Sequence, residues 1–167
     1  MEIQTMIVGT ELGHMLAAAT RRGICAVGFG EDAKQLEAAL HSEYPGAEIR
    51  HAEADLQGWV QALQEHLNGQ RRQLDLPLDV QATAFQRRVW EELRKIPYSE
   101  TRSYSQIAQA IGQPKAVRAV AHACACNPAA LVTPCHRVLR SDGSLGGYRW
   151  GLARKEALLA REQLNPE

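Results

Sequence analysis

Near residue 80 the apolar residues change their period, and a chain whose pattern changes once in this way folds as two halves built on different plans. Before that point short β-like runs alternate with helical stretches. Met6 to Val8, Gly13 to Ala19 and Gly23 to Phe29 read as strands, the last two separated by Thr20-Arg21-Arg22, a hairpin-sized gap. Asp32 caps a helix to about Ser42, and another helix runs from about Asp55 to Asn68, where Asn68-Gly69 ends it. Residues 70–73 and then Leu74 to Val80, with Pro77, read as an extended linker. Beyond it the pattern is helical. Thr83 caps a helix whose apolar residues Phe85, Val89, Leu93 and Ile96 share one face, and Pro97 closes it. A short helix from about Ser103 to Ala110, then Gly112, then a third helix opened by Pro114 and running to Cys126 make a helix-turn-helix pattern. The expected fold class is α/β (α+β): an N-terminal small sheet with helices over residues 1–80 and a mainly helical domain over residues 81–167.

Hydrophobic residues at 45% and charged residues at 23% of the 167 exclude disordered, collagen-like and coiled-coil classes. The apolar runs are far shorter than the roughly 20 residues of a membrane span, and no charged-then-apolar leader opens the sequence, so a cytoplasmic chain is expected. The zero net charge hides an asymmetry. Residues 1–80 hold 6 Lys/Arg against 12 Asp/Glu, net −6, whereas residues 81–167 hold 13 against 7, net +6. A basic half joined to an acidic one suits a polyanion-binding module attached to a second unit. With no secretory context, Cys25, Cys124, Cys126 and Cys135 are expected as reduced thiols.

The third helix of the basic half is nearly bare, carrying Ala116, Ala119, Ala121, Ala123 and Ala125 with only Arg118 and His122 long enough to reach a base. Sequence reading in the major groove needs more Asn, Gln or Arg than this. Small side chains instead permit close approach of a helix to a narrow groove, with one arginine free to enter the base stack. Downstream, Asn127-Pro128 breaks the helix and leads to Pro134-Cys135-His136-Arg137-Val138. A cysteine reacts as its thiolate and needs a base nearby; neighbours on a regular strand point to opposite faces, so His136 supplies it only on a turn, which Pro134 favours, or through a bridging water.

The Pro134 to Val138 run resembles the active-site motif of the O6-alkylguanine-DNA alkyltransferases. Further similarity lies in Ser103-Tyr104, Pro114 to Val120, Asn127-Pro128, Gly147-Tyr148, Gly151 and Lys155 to Glu162; the Tyr148 to Gly151 stretch is most similar to the bacterial adaptive-response branch. The resemblance implies a ribonuclease H-like N-terminal domain and DNA repair by direct reversal. One alkyl group, chiefly methyl, moves from O6 of guanine, and from O4 of thymine, in double-stranded DNA to the protein's own cysteine, once per molecule. By the same resemblance Cys135 is the nucleophile, His136 its base through water, Glu162 the group that orients the imidazole, and Asn127 a bridge between the helix-turn-helix and the active-site turn. Tyr104 donates a proton toward the base, the carbonyls of Cys135 and Val138 accept from its amine, and the amide of Arg149 donates near the reacting oxygen. Tyr148, Arg149 and Trp150 form the pocket rim, with Trp150 projecting over its mouth. Arg118 fills the gap left by the flipped base, and Gln113, Ala116 and Ala121 face DNA. No cofactor, metal, membrane or second subunit is implied.

Glu162 is expected to point inward on a stripe with Leu152, Leu158 and Leu159. Ser99 stands where the family often has Gly, a change read as affecting a turn and no chemistry, and Thr133 replaces a branched apolar residue. Two rival functions are set aside: a non-catalytic damage sensor would carry Trp in place of Cys135, and a sequence-reading regulator would carry more base-reading side chains on the third helix.

Overall fold

The computed structural model describes residues 1–164; the last three residues of the expected C-terminal domain lie outside them. Contacts gather the chain into two compact units, Met1–Val80 and a second from Gln81 onward.

In the first unit β1 (Glu2–Thr10), β2 (Gly13–Ala19) and β3 (Ile24–Gly30) form an antiparallel meander, followed by α1 (Ala33–Glu43), β4 (Glu48–His51) and α2 (Glu53–Leu67). The sheet order is β3-β2-β1-β4, with β4 parallel to β1. The expected Met6 to Val8 strand is longer, because Thr10 pairs with Gly13 across a two-residue turn and the ladder then runs back to Gln4. β4 was not expected: only Ile49 in it is even half-buried, so its sequence lacks a buried face. Because side chains alternate across a strand, the buried run Met15 to Ala19 of β2 serves both faces of the sheet. Leu16 and Ala18 join Ile3, Leu36 and Leu40 in one core, while α2 packs on β1 and β2. Asp32 caps α1 by accepting from the Gln35 amide.

The expected linker is extended but tethered. The Ile24 amide donates to the Pro77 carbonyl at 2.8 Å and the Asp79 amide donates to the Ile24 carbonyl at 2.8 Å, so residues 77–79 run beside the start of β3. Gly23 makes this possible, since a Cβ there would lie 2.6 Å from the Pro77 oxygen.

The second unit holds α3 (Ala84–Arg94), β5 (Arg102–Ser103), α4 (Tyr104–Ala110), α5 (Val117–Ala125), a single 3-10 turn (Cys135–Arg137), β6 (Val138–Leu139) and α6 (Leu152–Leu164). Thr83 and Ser103 each close a capping box, with Gln86 and Gln106 respectively. Val89, Trp90 and Leu93 turn the buried face of α3 inward, and the Trp90 indole N–H donates to the Ala123 carbonyl at 2.9 Å. α4 and α5 pack together across a turn in which Gly112 adopts φ +77°. The turn is longer than expected: Pro114 lies within it and α5 starts at Val117, because Gln113 bonds back to Ala108 and Ala116 to Gln113. β5 and β6 pair in parallel, which ties the entrance of α4 to the end of the 3-10 turn. Among the described residues no helix is long and apolar enough to cross a membrane.

Candidate active site

After Pro134 the backbone turns into the 3-10 helix, and Cys135, His136 and Arg137 are all buried. The irregularity that a cooperating Cys-His pair requires is therefore present. Asn127 holds it from the preceding break. Its side-chain N–H donates to the Thr133 carbonyl at 2.8 Å and to the Cys135 sulfur at 3.2 Å, and its Oδ1 accepts from the Ala129 amide at 3.0 Å. Within the segment so held, Leu131 adopts φ +70°, a conformation costly for a branched side chain and maintained by its buried surroundings.

Behind the thiol lies a charged cluster closed off from solvent. Glu162 receives the His136 Nε2 at 2.6 Å, Arg137 Nε at 2.9 Å and Nη2 at 3.1 Å, and the Ser99 amide at 3.0 Å. With that many donors around it the carboxylate accepts from all of them, so the imidazole carries its proton on Nε2. The other ring nitrogen, Nδ1, is buried with no protein partner and is left with a lone pair. Burial works against the Glu162 charge, but His136 and Arg137 outweigh it and bring its pKa down to about 2. For His136 burial dominates and lowers the pKa despite Glu162. Burial also pushes the Cys135 thiol up to about 11, against the Asn127 hydrogen bond and the Lys155 charge. At neutral pH the pair rests as thiol and neutral imidazole.

In front of the thiol is a cavity of about 430 Å³, bordered by Tyr104, Val117, Arg118, Ala121, Cys124, Cys135, Gly147 and Tyr148 among others. Lys155 organises its far wall. Fully buried, its ammonium donates its three N–H groups to the carbonyls of Val138 at 2.7 Å, Gly147 at 3.0 Å and Leu145, and lies 3.5 Å from the Tyr104 oxygen. The Tyr104 hydroxyl, its pKa raised to about 12 chiefly by burial, keeps its proton. Gly146, at φ +70°, lets the loop pass this ring; a Cβ there would lie 2.8 Å from the Tyr104 oxygen.

Of the expected site residues, Tyr104, Arg118, Ala121, Cys135 and Tyr148 line one cavity, and His136, Glu162, Asn127 and Val138 form the buried support around it. Gln113 and Ala116 sit in the turn before α5 and are not among its lining. Nor is Trp150, which packs edge-on against Tyr148 with centroids 5.3 Å apart and beneath the Arg149 guanidinium at 5.4 Å; from this loop Gly146, Gly147 and Tyr148 line the cavity. The Arg149 side chain donates to the Asn127 carbonyl at 3.0 Å.

Three groups escaped the sequence reading. Arg137 was only a letter in the motif, Lys155 only the start of a similar stretch, and Ser99 was assigned to a turn alone, although its amide holds Glu162. The buried stripe of α6 is Lys155, Leu158 and Glu162, not Leu152, Leu158 and Glu162 with Leu159: Leu152 is 50% exposed. The spacing 155, 158, 162 is itself a helical face and could have marked the lysine. Among the described residues no three His, Cys, Asp or Glu gather as a metal site.

Residues 6–80 match the ribonuclease-like domain, and residues 84–164 the DNA-binding domain, of 6-O-methylguanine DNA methyltransferase. The chain is 48% identical over 165 residues to the bifunctional transcriptional activator/DNA repair enzyme Ada of Escherichia coli, covering 99% of this chain and 47% of that protein. It thus spans about half the length of the curated Ada relatives it matches. Among solved structures, the Mycobacterium tuberculosis O6-methylguanine methyltransferase superposes with a TM-score of 0.84 at 34% identity, covering 98% of this chain and 94% of the other. A DNA complex of the protein from that organism gives 0.81 at 33% identity, covering 99% and 94%.

Proposed function

The chain belongs to the 6-O-methylguanine DNA methyltransferase family, and from that premise we propose that it repairs duplex DNA by moving a methyl group from O6 of guanine onto Cys135. The observation that carries this reading is the Cys135 sulfur on the wall of a cavity, held by an Asn127 N–H and backed by the buried His136-Glu162 pair. The thiol proton passes to the free lone pair of His136 Nδ1 by way of a water, and Glu162 stabilises the imidazolium so formed. Sulfur then attacks the methyl carbon in line. The S–C bond forms as the C–O6 bond breaks, the electron pair stays with the guanine, and the Tyr104 hydroxyl donates to the purine as charge develops there. The Lys155 ammonium, 3.5 Å from the phenol oxygen, favours that donation by its charge. The thioether product is stable, so each molecule acts once.

DNA is the partner this reading requires, as in the tuberculosis complex. Arg118 is exposed on α5 and reaches the cavity border, while Ala119 and Ala121 leave the helix surface low. A helix of that profile lies in the minor groove with Arg118 in the gap left by the extruded base, an extrusion that costs a few kcal/mol and favours a weakly paired lesion. Intact-mass measurement after incubation with methylated duplex tests the reading: a gain of one methyl group per molecule is expected, lost in Cys135→Ser while binding persists. Transfer that survives this substitution would refute it.

A further inference from the structure

We infer that Arg137 is a positioning residue that sets the pH at which the Cys135-His136 pair becomes competent, by holding Glu162 as a compensated carboxylate beneath the imidazole. The inference rests on the reading of Cys135 as alkyl acceptor. Arg137 places Nε on one Glu162 oxygen and Nη2 on the other, and its remaining nitrogen Nη1 on the Ile96 carbonyl at 2.8 Å. That is the fork geometry in which a guanidinium serves both carboxylate oxygens, and it is anchored to the end of α3 and covered by the Tyr98 ring at 5.6 Å.

Two consequences follow for the histidine. Orientation is one: with the carboxylate plane fixed by the fork, Oε2 is aimed at His136 Nε2, and Nδ1 is thereby fixed as the acceptor. Charge is the other. A lone buried carboxylate at 2.6 Å would hold His136 as imidazolium, and an imidazolium cannot take a thiol proton. Arg137, bonded to both carboxylate oxygens, opposes that field, in the same direction as burial. The charged groups acting on His136 are Glu162 and Lys155 from α6 and Arg137 from its own turn, where Cys135 precedes it; Tyr148, from the loop before α6, lies against Cys135 and Glu162, and the Ile96 carbonyl and Tyr98 ring after α3 lie against Arg137. Glu162 is the one carboxylate among these, and Lys155 acts in the same direction as Arg137, so Arg137 alone offsets Glu162 by direct contact. Burial is the largest cause of the lowered His136 pKa, and Arg137 adds to it against Glu162.

The test pairs two readouts on the full chain. NMR titration of the His136 imidazole, without DNA, is expected to give a neutral ring at pH 7 in the wild type, and a pKa higher by about one unit or more in Arg137→Gln. Single-turnover methyl transfer to Cys135 is expected to keep its high-pH plateau in Arg137→Gln within a few-fold, while its fall at acid pH moves upward by the same interval. Arg137→Lys, which keeps the charge, should titrate within about half a unit of the wild type. A loss of rate equal at every pH, with an unmoved imidazole titration, would make Arg137 merely structural and overturn the inference. If Arg137→Gln fails to fold, the wild-type titration and Arg137→Lys still decide: an imidazolium at pH 7 in the wild type, or a Lys variant whose His136 titrates a unit or more higher, overturns it. A wild type that never gains a methyl group at any pH refutes alkyl transfer, a failure the DNA-free titration keeps separate.

Discussion

Asn127 makes three hydrogen bonds through one buried side chain, two to backbone groups and one to the Cys135 sulfur. Asn127→Ala leaves the Ala129 amide unpaired, at about 1 to 3 kcal/mol for a buried group, and takes from the Thr133 carbonyl one of its two donors, the Cys135 amide remaining. The expected result is a fall of that order in unfolding free energy, measured by denaturant titration, together with slower methyl transfer because the sulfur loses its donor. Ser99 offers the opposite sign. It holds φ +69° while its amide grips Glu162, so Ser99→Gly keeps the bond and removes the left-handed strain. A gain in stability of about 0.5 to 1 kcal/mol is expected, with transfer unchanged. The proposed nucleophile and its proposed base were legible as a Cys-His dipeptide after a proline. Arg137 and Lys155 were not, because a charged letter in a sequence reads as solvated surface, and only the fold reveals the carboxylate and the carbonyl cage that let each be buried.

The helices of the second unit were readable from their caps: Thr83 and Ser103 sit three residues before Gln86 and Gln106, and Gly112 supplies the positive φ that ends α4. Pro114 misled, since its fixed φ suits a turn as well as a first helical turn. β4 was invisible for a different reason: a short edge strand in parallel pairing needs only backbone, so Glu48 to His51 shows no alternation. The loop before α6 carries a sharper test. Gly146→Ala would drive a methyl into the Tyr104 ring, 2.8 Å from its oxygen, and Lys155 bonds the carbonyls on both sides of that glycine, so the loop cannot simply retreat. A loss of at least about tenfold in transfer rate is expected, because small displacements of aligned groups carry penalties of that size or more. On α5, Arg118→Ala should slow transfer from duplex DNA far more than from a free modified base, which needs no extrusion; equal losses would remove Arg118 from the stack.

For the whole molecule the buried cluster predicts a one-sided response to acid. His136 is harder to protonate folded than unfolded, so the unfolded chain binds more protons as pH drops below about 6.5, and stability declines from there. Glu162, at about 2 folded against 4.5, adds a second loss that starts below pH 4.5 and is complete only beneath its folded pKa. Chemical denaturation between pH 7.5 and pH 4 should show the first decline in the wild type and a smaller one in His136→Gln. The tether of residues 77–79 to β3 bears on how such a chain can be divided. β3 is an edge of its sheet, and its opening residue is covered by a segment that the sequence assigns to a linker. A truncation at residue 73 would uncover the backbone N–H and carbonyl of Ile24 and remove the Thr20-Asp79 hydrogen bond. Exposed strand edges recruit other strands, so on size-exclusion chromatography a fragment of residues 1–73 should run as multimers where residues 1–80 run as a monomer.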